Sequence, residues 1–192
     1  MQFLVSTVAL RRAVVACLKL SPEGDCGNGP NGPIWEWDVS SVSNMEELFD
    51  YASSFNGDIS KWDVSSVTLM PGMFAGAILF NGDVSKWDVS NVVDMSAMFW
   101  GASVFNGDVS KWKTPRVETM HGMFWDATLF NGDLAKWKIS TVTDMSQLYL
   151  NADAFNRDMA KWDVSAVQTM YGVFWGAASF NGVISSWNVW SV

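Results

Sequence analysis

Carboxylates recur at one fixed spacing along this 192-residue chain, and carboxylate oxygens are ligands that Ca²⁺ prefers. Most of them directly follow an Asn-Gly pair, a sequence typical of tight turns. They stand at Asp58, Asp83, Asp108, Asp133 and Asp158. An aspartate in such a turn more often accepts hydrogen bonds from nearby backbone N–H groups than it binds a cation. The pattern therefore favours a structural role, and we expect neither a metal nor another cofactor.

An asparagine stands two residues before each of these carboxylates, at Asn56, Asn81, Asn106, Asn131 and Asn156. We predict that these asparagines form a buried, hydrogen-bonded ladder that satisfies loop backbone groups. Residues suited to catalysis are scarce, because His121 is the only histidine and no nucleophile stands beside it in a recognisable motif. Neither a phosphate-binding loop nor a metal-ligand spacing occurs. The sequence therefore predicts a protein that is not an enzyme.

Basic residues replace aspartate at one regularly repeated position. The residue after each regularly spaced tryptophan is Asp38, Asp63, Asp88, Lys113, Lys138, Asp163 and Asn188. Together with Lys111, Arg116 and Lys136, the two lysines bring five cations into two neighbouring segments. One interpretation is that the lysines and aspartates merely neutralise each other. The other is a docking site for an acidic partner on an exposed strand face.

Three further tryptophans, Trp100, Trp125 and Trp175, share a position that is filled elsewhere by Asp50, Ala75 and Leu150. The fold therefore does not require an aromatic residue there. One interpretation is packing between neighbouring helices. The alternative is partial exposure, in which case the indole rings would stack on sugars or anchor a protein interface.

The overall composition limits the choice of partners. A net charge of −8 argues against nucleic acid and anionic membranes, because phosphate-rich partners require a basic surface. Charges and glycines interrupt every apolar stretch before it reaches the roughly 20 residues of a membrane-spanning helix. We therefore expect a protein or glycan partner and no membrane span.

Tryptophan recurs every 25 residues from Trp37 to Trp187, which indicates one repeated unit. In the unit 59–83, Trp62 and Val64 alternate with polar residues, and this alternation predicts a short strand with inward apolar side chains. The apolar residues that follow have the spacing of a short amphipathic helix: Met70, Met73, Phe74 and Ala77.

A strand and a helix in every unit predict parallel pairing of neighbouring strands with right-handed connections. The expected fold is α/β: a right-handed leucine-rich-repeat-like solenoid with a short parallel β-strand plus a short helix per 25-residue turn. The regularly spaced tryptophans would then form a stacked core, at Trp62, Trp87, Trp112, Trp137 and Trp162.

The chain divides into two parts. Residues 34–192 hold six full units and a partial seventh, whereas residues 1–33 do not fit the repeat. We interpret residues 1–33 as an N-terminal cap helix followed by a turn-rich connection, and a cleaved signal or export segment is the alternative. The apolar side of the predicted helix consists of Leu10, Val14, Cys17 and Leu18.

Two features near the ends have open interpretations. Cys17 and Cys26 form either a short disulfide loop or two reduced thiols. The last unit carries Trp187, Val189 and Trp190 but no polar capping helix. Terminal repeats normally have a polar outer face, so either the array continues or this end docks onto a second subunit.

The phrases FNGDISKWDVSSV, NMEELF and DMSAMFWGASVFNGDVSKWDVSNV resemble the repeats of BspA-like leucine-rich-repeat surface proteins, a bacterial surface-protein or lipoprotein repeat of unknown function. The segment LRRAVVACLKLSPEGDCGNGPNGPIWEWDVS is similar to microalgal versions. The resemblance implies an extracellular or cell-surface location and a role in adhesion or protein binding. Our first hypothesis is a protein-interaction module, with glycan binding and self-association as alternatives.

Overall fold

Among the described residues, regular secondary structure is confined to the first fifth of the chain. The computed structural model describes residues 2–4 and 6–189. Its elements are strand β1 (Gln2–Phe3), helix α1 (Thr7–Leu20), a 3-10 helix (Ile34–Glu36) and strand β2 (Trp37–Asp38). The two strands pair in parallel, with Gln2 opposite Trp37. The described chain after β2 has no further helix or strand and runs through successive turns. The predicted α/β leucine-rich-repeat-like solenoid, with a strand and a helix in every unit, is therefore wrong.

The apolar stripe that predicted a helix is buried, but its backbone forms consecutive turns. Met73 N–H donates to the carbonyl of Met70, three residues back, and Ala77 N–H donates to that of Phe74. Gly72 and Gly76 have φ values of 60° and 65°. Left-handed residues at every fourth position interrupt a right-handed helix, because the two conformations cannot share one continuous hydrogen-bond pattern. Spacings of three and four residues still point these side chains inward.

Hydrogen bonds between units replace those that a helix would make within itself. In the unit 59–83, Met70 N–H donates to Asp94 O at 3.0 Å, and Phe74 N–H donates to Met98 O at 2.9 Å. Isolated parallel bridges link the same position of successive units, at Asn44, Leu69, Asp94, Thr119, Asp144 and Thr169. Each unit therefore satisfies its backbone groups largely through its neighbour.

The segment that predicted a strand also folds into turns. Trp62 N–H donates to Ile59 O at 3.1 Å, and Val67 N–H donates to Val64 O at 2.9 Å. Between them, the Asp63 carboxylate accepts the backbone N–H of the residue two positions on, at 3.0 Å. These local bonds use N–H groups that a strand ladder would need. The apolar side chains of this segment nevertheless lie in the core.

Stacked aromatic rings fill the interior. Within one unit the rings of Phe74 and Phe80 lie 3.9 Å apart, and Phe74 stacks on Phe99 of the next unit at 5.6 Å. The regularly spaced tryptophans are 2–4% exposed, namely Trp62, Trp87, Trp112, Trp137 and Trp162. The indole N–H of Trp87 donates to Ile59 O at 3.2 Å, and the other four make the equivalent bond. Tryptophan thus provides both core volume and a bond between units.

Helix α1 covers the first unit. Ser6 caps its N-terminus by accepting the Ala9 N–H, and its buried residues are Leu10, Ala13, Val14 and Cys17. Thr7 Oγ1 donates to Asn44 O at 2.9 Å. Cys17 and Cys26 form a disulfide with a Cα–Cα distance of 5.2 Å, which ties α1 to the turn-rich connection. Among the described residues, no helix combines the length and apolar character that crossing a bilayer requires.

The last described turn is less covered than the others. Trp187 is partly buried and stacks on Trp162 at 6.2 Å, whereas Val189 is 49% exposed. Trp190, part of the predicted open end, lies outside the described residues.

Candidate binding faces

Four of the five aspartates of the first sequence pattern act as turn formers, whereas Asp158 accepts the N–H of Val183 in the next unit at 2.9 Å. Asp83 Oδ1 accepts the Ser85 N–H at 2.9 Å, and Asp108 accepts that of Ser110 at the same distance. Hydrogen bonds from the Ser85 and Ser110 side chains, followed by these backbone bonds, lower the pKa of Asp83 and Asp108, and nearby lysines add to the effect. In the described part of the chain, no group of three or more His, Cys, Asp or Glu side chains is placed to hold a metal ion.

The asparagines form a ladder at the surface, not in the interior. Asn56 Oδ1 accepts the backbone N–H of Asn81 at 2.9 Å, and each later asparagine repeats the bond to the next unit. The prediction of a buried ladder is therefore wrong as to burial, because the side chains lie in exposed loops. Their role is to join loops of successive units.

The predicted cation patch is exposed and is accompanied by one further lysine. We call it the lysine face, and it consists of Lys86, Lys111, Lys113, Arg116, Lys136 and Lys138. Lys86, Lys111 and Lys113 line one surface groove of about 410 Å³ together with Asp88. The next unit is adjacent, because Thr114 Oγ1 donates to Lys138 O at 2.9 Å.

None of these cations makes a close ion pair with a described carboxylate. The one ion pair within 4.0 Å among the described residues joins His121 Nδ1 to Asp144 Oδ2. Lys113 contributes only the smallest of the effects that lower the pKa of Asp88, after the hydrogen bonds from Ser90. Arg116 donates to a neutral side-chain oxygen, Asn91 Oδ1, at 3.2 Å. The ammonium groups therefore remain free of direct carboxylate contacts.

The change from aspartate to lysine has a structural reason in one unit only. Where aspartate follows the tryptophan, as at Asp88, it accepts the N–H of the residue two positions on. After Lys113 that residue is Pro115, which has no N–H, so an aspartate at 113 would lack this donor. Ser140 keeps its N–H after Lys138, and nothing in the structure explains the lysine there.

The three additional tryptophans do not form one platform. The rings of Trp100 and Trp125 lie 5.4 Å apart, and both residues are partly buried. Trp175 is 63% exposed and contacts Tyr171 instead, with Leu150 occupying the intervening unit. Trp175 therefore lies apart from the pair that Trp100 and Trp125 form.

A groove beside Trp100 was not predicted. We call it the aromatic groove; it has a volume of about 430 Å³ and is lined by Tyr51, Ser53, Gly76, Ile78, Trp100, Gly101 and Asp126. The ring of Tyr51 meets that of Trp100 edge-on at 6.3 Å. A usable sequence signal existed, since Tyr51 takes a position that glycine holds at 76 and 101.

Among the described residues, the His121 imidazole makes a contact with a carboxylate and no hydrogen bond to a serine, threonine or cysteine side chain. Its imidazole is 42% exposed, and its 4.0 Å contact with Asp144 is at the outer limit of an ion pair. The Ser146 N–H already donates to the same aspartate at 2.8 Å. This arrangement resembles the turn-forming aspartates of the other units.

Comparisons with known proteins identify the repeat but no activity. A family model described as "Mycoplasma protein of unknown function, DUF285" matches residues 26–132 and, a second time, residues 107–192. The two matches extend from the turn-rich connection into the last unit and leave out α1. Neither a curated protein nor a solved structure matches the chain significantly.

Proposed function

We propose that this chain, which belongs to the family described as Mycoplasma protein of unknown function, DUF285, is a non-enzymatic module that binds an acidic protein partner through its lysine face. The observation that carries the proposal is that exposed cations concentrate on three neighbouring units without close carboxylate partners. The cation at Lys138 has no structural reason within the fold, which favours a role towards a partner. Complementary charge steers association and selects partners.

A charge-reversal experiment tests the lysine face. The probe is a fluorescent hexaglutamate peptide, followed by anisotropy at low salt. We expect Lys113→Glu with Lys138→Glu to weaken binding about tenfold, and we expect added salt to weaken the wild-type complex. The control is Lys61→Glu with Lys161→Glu, which makes the same change in net charge outside the lysine face. Equal weakening by both double variants would show that only net charge matters and would reject the site.

We also propose that the protein is a BspA-like surface protein that works outside the cell. The resemblance of its repeats and the disulfide between Cys17 and Cys26 support this location, since disulfides persist mainly in oxidising compartments. Protease treatment of intact cells tests it. A surface protein is digested without lysis, whereas survival of the protein until the cells are lysed would contradict the proposal.

A further inference from the structure

The aromatic groove combines the exposed ring of Tyr51 and the partly buried ring of Trp100 with one carboxylate. Tyr51 is 68% exposed, and its ring stands at 77° to that of Trp100. Ile78, which is 47% exposed, adds an aliphatic wall, and Asp126 provides the one charged side chain of the lining. A groove of about 430 Å³ has room for a single side chain or a small ligand.

The carboxylate in this groove has no positive neighbour. Asp126 Oδ1 accepts a hydrogen bond from Asn151 Nδ2 at 2.8 Å, and an amide leaves the negative charge in place. Among the described residues, no Lys, Arg or His lies within 4.0 Å of Asp126. The aligned segments on this face contain Asp50, Asp126 and Asp153 and no basic residue: 50–54, 75–79, 100–104, 125–129 and 150–154.

The backbone indicates that Tyr51 is present for its side chain. Its φ is 51°, in the left-handed region that this position adopts in every unit, with glycine in the next two units and Asp126 and Asn151 in the two after them. A bulky residue is disfavoured in that conformation, and Tyr51 is the one aromatic residue that adopts it among the described residues. A Cβ on Gly76 would come within 2.8 Å of the Tyr51 ring, so the glycine makes room for the ring against the backbone. Tyr51 and Gly76 thus build one wall of the groove together.

We propose that the aromatic groove binds the guanidinium group of an arginine side chain from a partner peptide. Guanidinium is planar and weakly hydrated; it stacks on aromatic faces and pairs with carboxylates, and the groove offers both kinds of contact. The unpaired charge of Asp126 favours this cation over a sugar, which needs ring faces but no net negative charge. The site is independent of the lysine face, which has the opposite charge preference.

The experiment compares two peptides of nearly the same shape, in which a charged guanidinium group is replaced by the neutral ureido group. Acetyl-Gly-Arg-Gly-amide and its citrulline analogue are titrated separately into ¹⁵N-labelled protein, and the indole signal of Trp100, assigned with Trp100→Phe, is followed. We expect the arginine peptide to shift this signal and the citrulline peptide to leave it unchanged. Asp126→Asn and Tyr51→Gly should each weaken arginine binding about tenfold while the amide spectrum keeps its dispersion. Trp175→Ala, outside the groove, is the matched control and should bind as wild type does.

Four outcomes would overturn the proposal. Equal shifts with citrulline would show that charge is irrelevant, and equal binding of a lysine peptide would show that guanidinium is not selected. Binding of maltotriose that survives Asp126→Asn would identify the groove as a glycan site. The absence of any shift at peptide concentrations in the millimolar range would show that the groove binds neither class.

Discussion

At the scale of single residues, the hydroxyl of Tyr149 is the clearest departure from the pattern of the core. Tyr149 takes the place of Phe124 and Phe174 in the aromatic stack, and its ring lies 5.8 and 5.7 Å from theirs. Its hydroxyl is buried without a hydrogen-bond partner among the described residues, and burial raises the pKa of Tyr149 well above its ordinary value. A buried polar group without a partner costs stability.

Removing that hydroxyl should therefore stabilise the protein. We predict that Tyr149→Phe raises the free energy of unfolding by about 1–3 kcal/mol, as measured by urea denaturation. Tyr171→Phe is the control, because Tyr171 is 65% exposed and its hydroxyl is solvated. A loss of stability in Tyr149→Phe would mean that the hydroxyl is satisfied in solution.

Two substitutions of Trp87 separate the contribution of its indole N–H bond to stability from that of its ring. Trp87→Phe keeps an aromatic ring but removes one of the two donors to Ile59 O, which still accepts the Trp62 N–H, and we predict a cost of about 0.5–1.5 kcal/mol. Trp87→Ala also removes the ring and should cost about 3–5 kcal/mol. Thermal or urea melts distinguish the two. A loss below about 1 kcal/mol for the alanine variant would contradict the inward assignment of Trp87.

At the scale of the local elements, the sequence predicted side-chain burial far better than backbone conformation. Met70, Met73 and Phe74 are buried as their spacing required, because spacings of three and four residues bring side chains to one side in successive turns as well as in a helix. The turns themselves depend on bonds to the neighbouring unit, such as Gly72 N–H to Ser96 O at 2.8 Å. Those bonds are not local in sequence, so a local pattern could not distinguish them from a helix.

The aromatic groove was missed for a related reason. Its walls come from different units, with Tyr51, Ile78 and Trp100 each 22 or more residues from the next. The sequence indicated that the fold does not require an aromatic residue at the position of Trp100. It could not show that the ring of Tyr51 lies edge-on to that of Trp100. The lysine face was easier to predict, since the repeat places its members one period apart.

Because of the aspartate turns, the stability of the protein varies with pH in the acidic range. Hydrogen bonds from serine two residues on lower the pKa of several aspartates below the ordinary 3.8, including Asp58, Asp83 and Asp108. A lowered folded-state pKa gives stabilisation that is complete above the unfolded-state pKa and is lost as the pH falls through the folded-state pKa. Each exposed turn contributes little, so the effect is a sum over turns. Asp50 has the opposite effect on the pH dependence of stability, because burial and Glu47 raise its pKa.

We therefore predict that the melting temperature falls as the pH drops below about 4. Replacing Asp58, Asp83 and Asp108 together by asparagine should flatten this fall, because asparagine forms the same turn without a titrating charge. Scanning calorimetry from neutral pH to pH 2 measures both proteins. Parallel curves would show that these turns do not carry the acid sensitivity.

The disulfide between Cys17 and Cys26 stabilises the cap locally. Its short loop, with a sequence separation of 9, predicts that reduction costs about 2–3 kcal/mol. The loss should be concentrated in α1 and the first unit, which the helix covers through Leu10 and Val14. Hydrogen exchange with and without reductant measures it. Unchanged protection of α1 after complete reduction would contradict the prediction.

At the scale of the whole molecule, stability comes from contacts between adjacent units. Backbone bonds between units, the asparagine ladder and the tryptophan N–H bonds join residues 24 to 28 positions apart, and ring stacks repeat at the same period. Helix α1 adds a cover at one end. A unit therefore matters to its two neighbours and little to distant ones, which is how stacked repeats distribute their stability.

This organisation predicts that one complete unit is dispensable to folding. Deleting residues 84–108 joins Asp83 to Val109 and places the indole N–H of Trp112 opposite Ile59 O, the carbonyl that Trp87 now uses. We expect a folded protein with a lower midpoint in urea and an m-value reduced by about an eighth, because less surface is exposed on unfolding. Deleting residues 84–95 is the matched control, since it removes about half a unit and puts every later tryptophan and asparagine out of register. Near-ultraviolet circular dichroism should then show ordered aromatic rings in the first variant and none in the second. Loss of ordered rings in both would mean that the units are not interchangeable, and that differences such as Lys113 or Tyr149 matter to folding more than the common contacts do.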